Sequence, residues 1–288
     1  MDAFDQSPRL PVYFLSHGGG PWPFMGGEFR SQFDWLEASL RDIPQQLPAV
    51  PKAVLVVSGH WEEDEFTISS GEKPGMVYDY YGFPDYTYQI SYPAPGSPQL
   101  ARRVQELLGK SGWAARLDAE RGFDHGTFSM LQPMYPFADM PIVQLSLKRS
   151  FDPAEHLRLG AALAPLREEG VLIVGSGFSF HNLRLMGPGG TAPSQAFDGW
   201  LRAILLQPDP AVRDNALRQW LKAPAARLAH PREDHLLPLM VIAGAAGNEA
   251  ASCIYGEKFM HAVYASSFGF GLPGLHNRFD RLVGEAVV

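Results

Sequence analysis

Three of the nine histidines in the 288-residue chain stand where apolar runs give way to small residues. His17 follows PVYFLS directly and precedes Gly18, Gly19 and Gly20, His60 follows AVLVVSG, and His181 comes four residues after VLIVGSG. Each run has the composition of a buried strand. Imidazoles just past strand ends in an open α/β sheet face the crevice where ligands bind, and adjacent glycines let backbone and ligand approach closely. Two or three neutral imidazoles with open positions suit Fe(II), Zn(II), Mn(II) or Co(II). No HExxH or CxxC pair occurs, so such ligands must be gathered from distant segments.

Two further histidines have suggestive neighbours. In RGFDHGTFSMLQPMYP, His125 lies between Asp124 and Gly126 in a loop before an apolar segment. There the carboxylate could orient the ring or the glycine could admit a substrate, the alternative being a plain turn residue. In HPREDHLLPLM, His235 opens an apolar helical pattern and falls in a first helical turn, as a ligand or as a solvated residue. The glycines of HGGGP form neither GxGxxG nor a P-loop. They are like a lipase oxyanion segment, yet GSGFS at 175–179 has Gly177 where a nucleophile elbow needs serine.

The elements that must position these residues follow from periodicity. Apolar β-rich runs predict strands at 11–16, 53–59, 141–147 and 171–177, with 253–259 as a later edge strand. Helical patterns fall at 28–41, 97–110, 153–169, 194–206, 210–222 and 235–246. This alternation predicts an α/β fold, one domain over 1–288, with a central mainly parallel or mixed sheet flanked by helices on both faces. The Tyr-, Pro- and Gly-rich stretch 71–96 reads as a long insertion with room for one strand, and a loop of that length is usually functional or mobile. The glycine-rich aromatic tail at 265–279 is expected to wrap the surface or close a site.

Composition removes several classes of function. A hydrophobic content of 45% supports a sizeable core. The single cysteine, Cys253, excludes an intramolecular disulfide and a cysteine-rich zinc site and points to a reducing compartment. A net charge of −7 offers no broad attraction to nucleic acid or anionic lipid. The N-terminus MDAFDQSPRL is acidic where a signal peptide is basic, and no apolar run is long enough to span a bilayer, so a soluble cytoplasmic protein is expected. A homo-oligomer remains open.

Five segments taken together carry a resemblance: LSHGGGP at 15–21, VVSGHWE at 56–62, DHGTFSML at 124–131, GSGFSFHNLR at 175–184 and EDHLLPLMVIAGAAG at 233–247. In order and content the chain resembles the class III extradiol ring-cleavage dioxygenases, the LigB-like family, and within them the 4,5-DOPA extradiol dioxygenase group. The resemblance implies an α/β domain with one non-haem metal ion, Fe(II) for catalysis or Zn(II) as bound, and a catechol and O2 as substrates. It implies metal ligation by His17, His60 and His235 and acid–base roles for His125 and His181, with His181 also a possible ligand. Histidine at 235 stands where another branch of the family has glutamate, which leaves the parts of Glu233 and Asp234 open. Trp22, Phe24, Tyr80, Tyr81 and Phe270 are candidate walls of a ring pocket, and Arg184 and Lys148 candidate partners of a substrate carboxylate. A zinc hydrolase using the same ligands is the alternative enzyme, and a metal-binding scaffold without catalysis the alternative outside enzymes.

Overall fold

Strands and helices alternate along most of the chain. The computed structural model describes residues 8–272 and 277–283. The strands are β1 (Val12–Ser16), β2 (Ala53–Glu63), β3 (Phe66–Ser69), β4 (Ala115–Asp118), β5 (Ile142–Lys148), β6 (Val171–Gly177), β7 (Ala251–Phe259), β8 (Val263–Phe270) and β9 (Phe279–Asp280). The helices are α1 (Gly27–Ser31), α2 (Asp34–Gln46), α3 (Pro98–Lys110), α4 (His125–Met134), α5 (Pro153–Leu163), α6 (Thr191–Leu205), α7 (Pro210–Arg218), α8 (Ala226–Ala229) and α9 (Leu237–Ala246).

All nine strands belong to one mixed sheet in the order β4-β3-β5-β2-β6-β1-β8-β7-β9. Its centre, β5-β2-β6-β1, is parallel throughout, so four carboxyl ends share one edge. Antiparallel pairing begins outside it, at β3 on one side and β8 on the other. Helices α3, α5 and α9 pack together, with α9 on β1, β2 and β6, while α4 lies on β2 and β6 with α2 beside it. Covered in this way, residues 54–57 and 172–174 are fully buried. That is why these strands read as unbroken apolar runs instead of alternating ones.

Several expectations need correction. The helix expected at 28–41 is two, broken before Asp34, because Phe33 leaves the helical path to stack on Trp22 at 5.0 Å. The pattern at 153–169 ends as an α-helix at Leu163 and tightens to a 3-10 turn containing Pro165, which has no N–H to continue the ladder. The insertion 71–96 contains no named strand, only a one-residue bridge between Met76 and Phe123 and a 3-10 turn at Asp85–Tyr88. The segment 253–259 lies within β7, which carries the two-residue β9 outside it. The first part of the tail read as a wrap, residues 265–270, belongs to β8, a buried strand paired with β1 and β7; residues 273–276 lie outside the described residues, as does the stretch 1–7 read for a signal peptide.

Two buried arginines hold the end of α9. A helix end leaves carbonyls without partners, and α9 is apolar on nearly every face. Arg167 donates to Ala245 O at 3.0 Å and Leu10 O at 2.7 Å. Arg213 donates to Gly247 O at 2.7 Å, Glu249 O at 3.0 Å and Ala243 O at 3.3 Å. Arg213→Met keeps the bulk but leaves three carbonyls without a donor, and is expected to cost about 2–4 kcal/mol. A lower denaturation midpoint at unchanged slope is the expected reading; an unchanged midpoint removes the capping role.

Candidate metal centre

The shared carboxyl edge of the sheet brings distant segments together. His17 is the first residue after β1, its N–H bonded to Gly177 O at 3.3 Å and its carbonyl accepting from the Trp22 indole at 2.8 Å. His60 lies inside β2 at an irregularity: pairing with β5 jumps from Val57↔Leu145 to Glu62↔Leu147, so residues 58–61 face Ser146 alone. Such a bulge re-aims the side chains it carries. His235 sits in the turn before α9, where its carbonyl accepts from Phe178 N at 3.1 Å. A side chain at Gly177 would collide with that same oxygen, so glycine there lets the turn settle on the end of β6.

The three imidazoles converge through the same atom. His60 Nε2 is 3.1 Å from His17 Nε2 and 3.0 Å from His235 Nε2. Their Nδ1 partners fix the tautomers. His60 Nδ1 meets Asp79 Oδ2 at 3.2 Å and His235 Nδ1 meets Asp234 Oδ2 at 2.9 Å, and an ionised carboxylate only accepts. His17 Nδ1 meets Ser176 Oγ at 3.1 Å; that hydroxyl uses its one hydrogen on Gly126 O, so it accepts from His17. All three Nδ1 atoms therefore carry the proton, and in the neutral rings all three Nε2 atoms turn lone pairs toward one another. Three lone pairs at this spacing repel unless a cation lies among them. Two nitrogens each about 2.0–2.1 Å from one ion stand roughly 2.9–3.4 Å apart, so the residues fit a single divalent metal.

The electrostatics agree with the hydrogen bonds. Burial, and then the other imidazoles, push His17 and His235 well below the ordinary histidine range, which keeps them neutral. At His60 burial acts in the same direction but is outweighed by the hydrogen bond and charge of Asp79, so this position draws positive charge. Burial works against ionisation of Asp79, yet hydrogen bonds from His125 and His60 hold it below the usual carboxylate range.

His125 and His181 flank the three. His125 is the first residue of α4, with its ring centroid 3.9 Å from that of His60. Both its Nδ1 and its backbone N–H donate to Asp79 Oδ1, at 2.8 and 3.0 Å. His181 stacks on His235 with centroids 3.4 Å apart, and burial lowers it to about 4 against the pull of Asp234. All five histidines singled out in the sequence thus lie in one cluster. His156 and His230 do not belong to it: His156 bonds to Asp152 O at 2.8 Å and His230 to Ser179 O at 2.9 Å.

The surroundings differ from the sequence reading in several places. His125 opens a helix and is not a loop residue. Asp124 does not orient its ring; it caps α4 through Thr127 N at 3.0 Å and takes the Ser58 hydroxyl at 2.9 Å. Gly126 makes room for His60, whose Cδ2 would lie 2.8 Å from an added Cβ. Of the candidate wall residues, Tyr80 stands 5.9 Å from His125 between ring centroids, and Phe24 packs on Phe128 at 5.9 Å. Trp22 is buried on Phe33, Tyr81 is exposed, and Phe270 lies in the core under Arg213. Lys148 is engaged by Glu155 at 2.6 Å, whereas Arg184 is exposed. Glu233 turns outward to Arg227 at 2.6 Å, leaving Asp234 to hold His235. Asp79 and Ser176 were not anticipated; one lies in the insertion, the other within a strand, and neither has a spacing that marks it.

Comparison with known proteins extends the description. Residues 11–270 match the family model for the catalytic LigB subunit of aromatic ring-opening dioxygenase. The chain is 44% identical over 252 residues to a 4,5-DOPA dioxygenase extradiol of Beta vulgaris, covering 85% of this chain and 91% of that one. A protein of the same description from Escherichia coli K12 is 37% identical over 249 residues, covering 85% and 88%. The crystal structure of an uncharacterized protein from Escherichia coli K12 superposes with a TM-score of 0.75 at 33% identity, covering 91% of this chain and 100% of that one.

Proposed function

The chain belongs to the family of catalytic LigB subunits of aromatic ring-opening dioxygenases and is an extradiol ring-cleavage dioxygenase, and from that premise we propose that it opens a catechol with O2 at one divalent ion held by His17, His60 and His235. The observation that carries the ligand assignment is the convergence of three Nε2 lone pairs, each aimed by a partner on Nδ1. Fe(II) is the proposed catalytic ion, because Zn(II) has no redox chemistry to offer dioxygen. When bound, the metal would supply positive charge that lowers a catechol hydroxyl's pKa and open positions that bring diol and O2 together.

The chain's own groups then handle protons and position. His125, with Nδ1 engaged by Asp79, presents Nε2 as a proton acceptor for a catechol hydroxyl. Once protonated it is an imidazolium beside a carboxylate, able to return the proton as the ring opens. His181, neutral and stacked on His235, is the second acid–base group. The family relatives described as 4,5-DOPA dioxygenases favour a DOPA-like dihydroxyphenyl substrate, whose extradiol opening would give a muconic semialdehyde-type product. Arg184, two residues beyond Asn182, is the proposed partner of a substrate carboxylate. We assign the whole chain, 1–288, to one catalytic domain, and the cytoplasm as its compartment, since the one cysteine, Cys253, is a buried free thiol suited to a reducing environment.

The test is anaerobic reconstitution with Fe(II) followed by an oxygen-electrode screen of substituted catechols. Oxygen uptake with a yellow product is expected; ester or amide cleavage by the zinc form without oxygen uptake would replace this reading with a hydrolase. A second expectation concerns Gly126. Gly126→Ala pushes the His60 ring off its position and should weaken metal binding about tenfold. Titration with cobalt(II) reads this directly, and unchanged affinity would show that the ring has room to yield.

A further inference from the structure

We propose that Asp79 is a positioning residue that sets the tautomer of a metal ligand and of the catalytic base at once. This rests on the ligand and base assignments above and goes beyond them, since Asp79 is neither one of the three assigned ligands nor one of the assigned acid–base groups. Its carboxylate lies between two rings: Oδ1 accepts from the Nδ1 and the backbone N–H of His125, and Oδ2 lies 3.2 Å from Nδ1 of His60, within reach of its proton. Because the ionised group has no proton to give, both rings must donate to it from Nδ1, and both Nε2 atoms are left as lone pairs. One lone pair faces His17 and His235; the other is the base. His17 and His235 have separate Nδ1 partners, so Asp79 is the described residue through which the metal side and the proton-transfer side share a support.

The insertion that carries Asp79 is fixed for this purpose. Val77 N bonds to Phe123 O and Phe123 N to Gly75 O, each at 2.8 Å, tying the loop to the segment that leads into α4. Tyr80, the next residue, donates to Thr87 O at 2.5 Å. A shift of this loop would therefore move both imidazoles together.

Asparagine separates this role from packing. In Asp79→Asn one oxygen remains and the other becomes an NH2. The oxygen suits the two donors of His125, which turns the NH2 toward His60 Nδ1 and forces the His60 proton onto Nε2, where the metal should sit. In Asp79→Ala the ring is free to keep its proton on Nδ1 with water as partner. The near-isosteric change should thus be the more damaging. Cobalt(II) affinity is expected to fall about tenfold in Asp79→Ala and about 100-fold in Asp79→Asn. Histidine ring 15N spectra of the metal-free full chain should show His60 switched to the Nε2–H form in Asp79→Asn alone. An Asp79→Asn protein that binds cobalt(II) as well as or better than Asp79→Ala, or that keeps His60 in the Nδ1–H form, overturns the proposal. Neither readout needs turnover: a parent enzyme inactive on every catechol would defeat the proposed reaction while leaving this order of affinities to stand or fall by itself.

Discussion

His235→Ala is expected to abolish oxygen-dependent turnover and to lower metal affinity by about 10²–10³-fold, since a site worth roughly 10–16 kcal/mol over four ligands yields about 2.5–4 kcal/mol per ligand. His17→Ala and His60→Ala should behave alike, because each Nε2 supplies one lone pair to the same centre. Stability gives an independent reading. Metal at about 100 times its dissociation constant stabilises the native state by about 2.7 kcal/mol, which for a chain of this size raises Tm by roughly 4–5 °C. The parent should show that rise on adding metal and His235→Ala should not. Without metal the variant should be no less stable than the parent by more than a few degrees, since the change also relieves lone pairs facing one another across 3.0 Å. Metal bound by His235→Ala with parental affinity would end the assignment of these three residues.

The parts of this centre visible in the sequence are those tied to regular pattern. His17 and His60 could be found because buried parallel strands leave continuous apolar runs, and whatever follows such a run lies at the sheet's carboxyl edge. His235 was visible as the start of an apolar helix, although its approach to the sheet depends on Gly177, whose purpose appears only in three dimensions. Asp79 was hidden for a physical reason. It sits in a loop without period, among tyrosines and glycines that read as surface, and its function lies in bonds to rings 19 and 46 positions away. The short strands β3 and β4 escaped notice because four residues carry too little alternation, and β4 is partly exposed. The start of β8 was misread because glycines and aromatics, taken as marks of a wrapping tail, here belong to a buried strand packed closely in the sheet, where Ser267 Oγ accepts from Ser16 N at 3.0 Å. The motifs located the residues that meet; the partners that aim them came from irregular backbone, to which periodicity is blind.

The second large effect should come from His125→Ala. Its Nδ1 is committed to Asp79 and its Nε2 is not among the three that converge, so its removal should leave metal content close to parental. What is lost is a proton acceptor whose charged form has a carboxylate at 2.8 Å. General acid–base catalysis contributes about 10²–10⁴-fold, and kcat is expected to fall by that factor with KM changed only a few-fold. His181→Ala should cost less, because burial lowers both imidazoles but only His125 has a carboxylate hydrogen-bonded to its ring among the described residues, which makes His181 the poorer place to park a proton. The pH profile then separates a missing base from a damaged pocket. Without His125 as acceptor, turnover depends mainly on substrate already ionised in solution, so kcat/KM of His125→Ala should climb steadily with pH toward the parent value, whereas a distorted pocket would leave the two profiles parallel. A variant that loses its metal, or that keeps kcat within tenfold of the parent, would move the base elsewhere in the cluster, with His181 the next to examine.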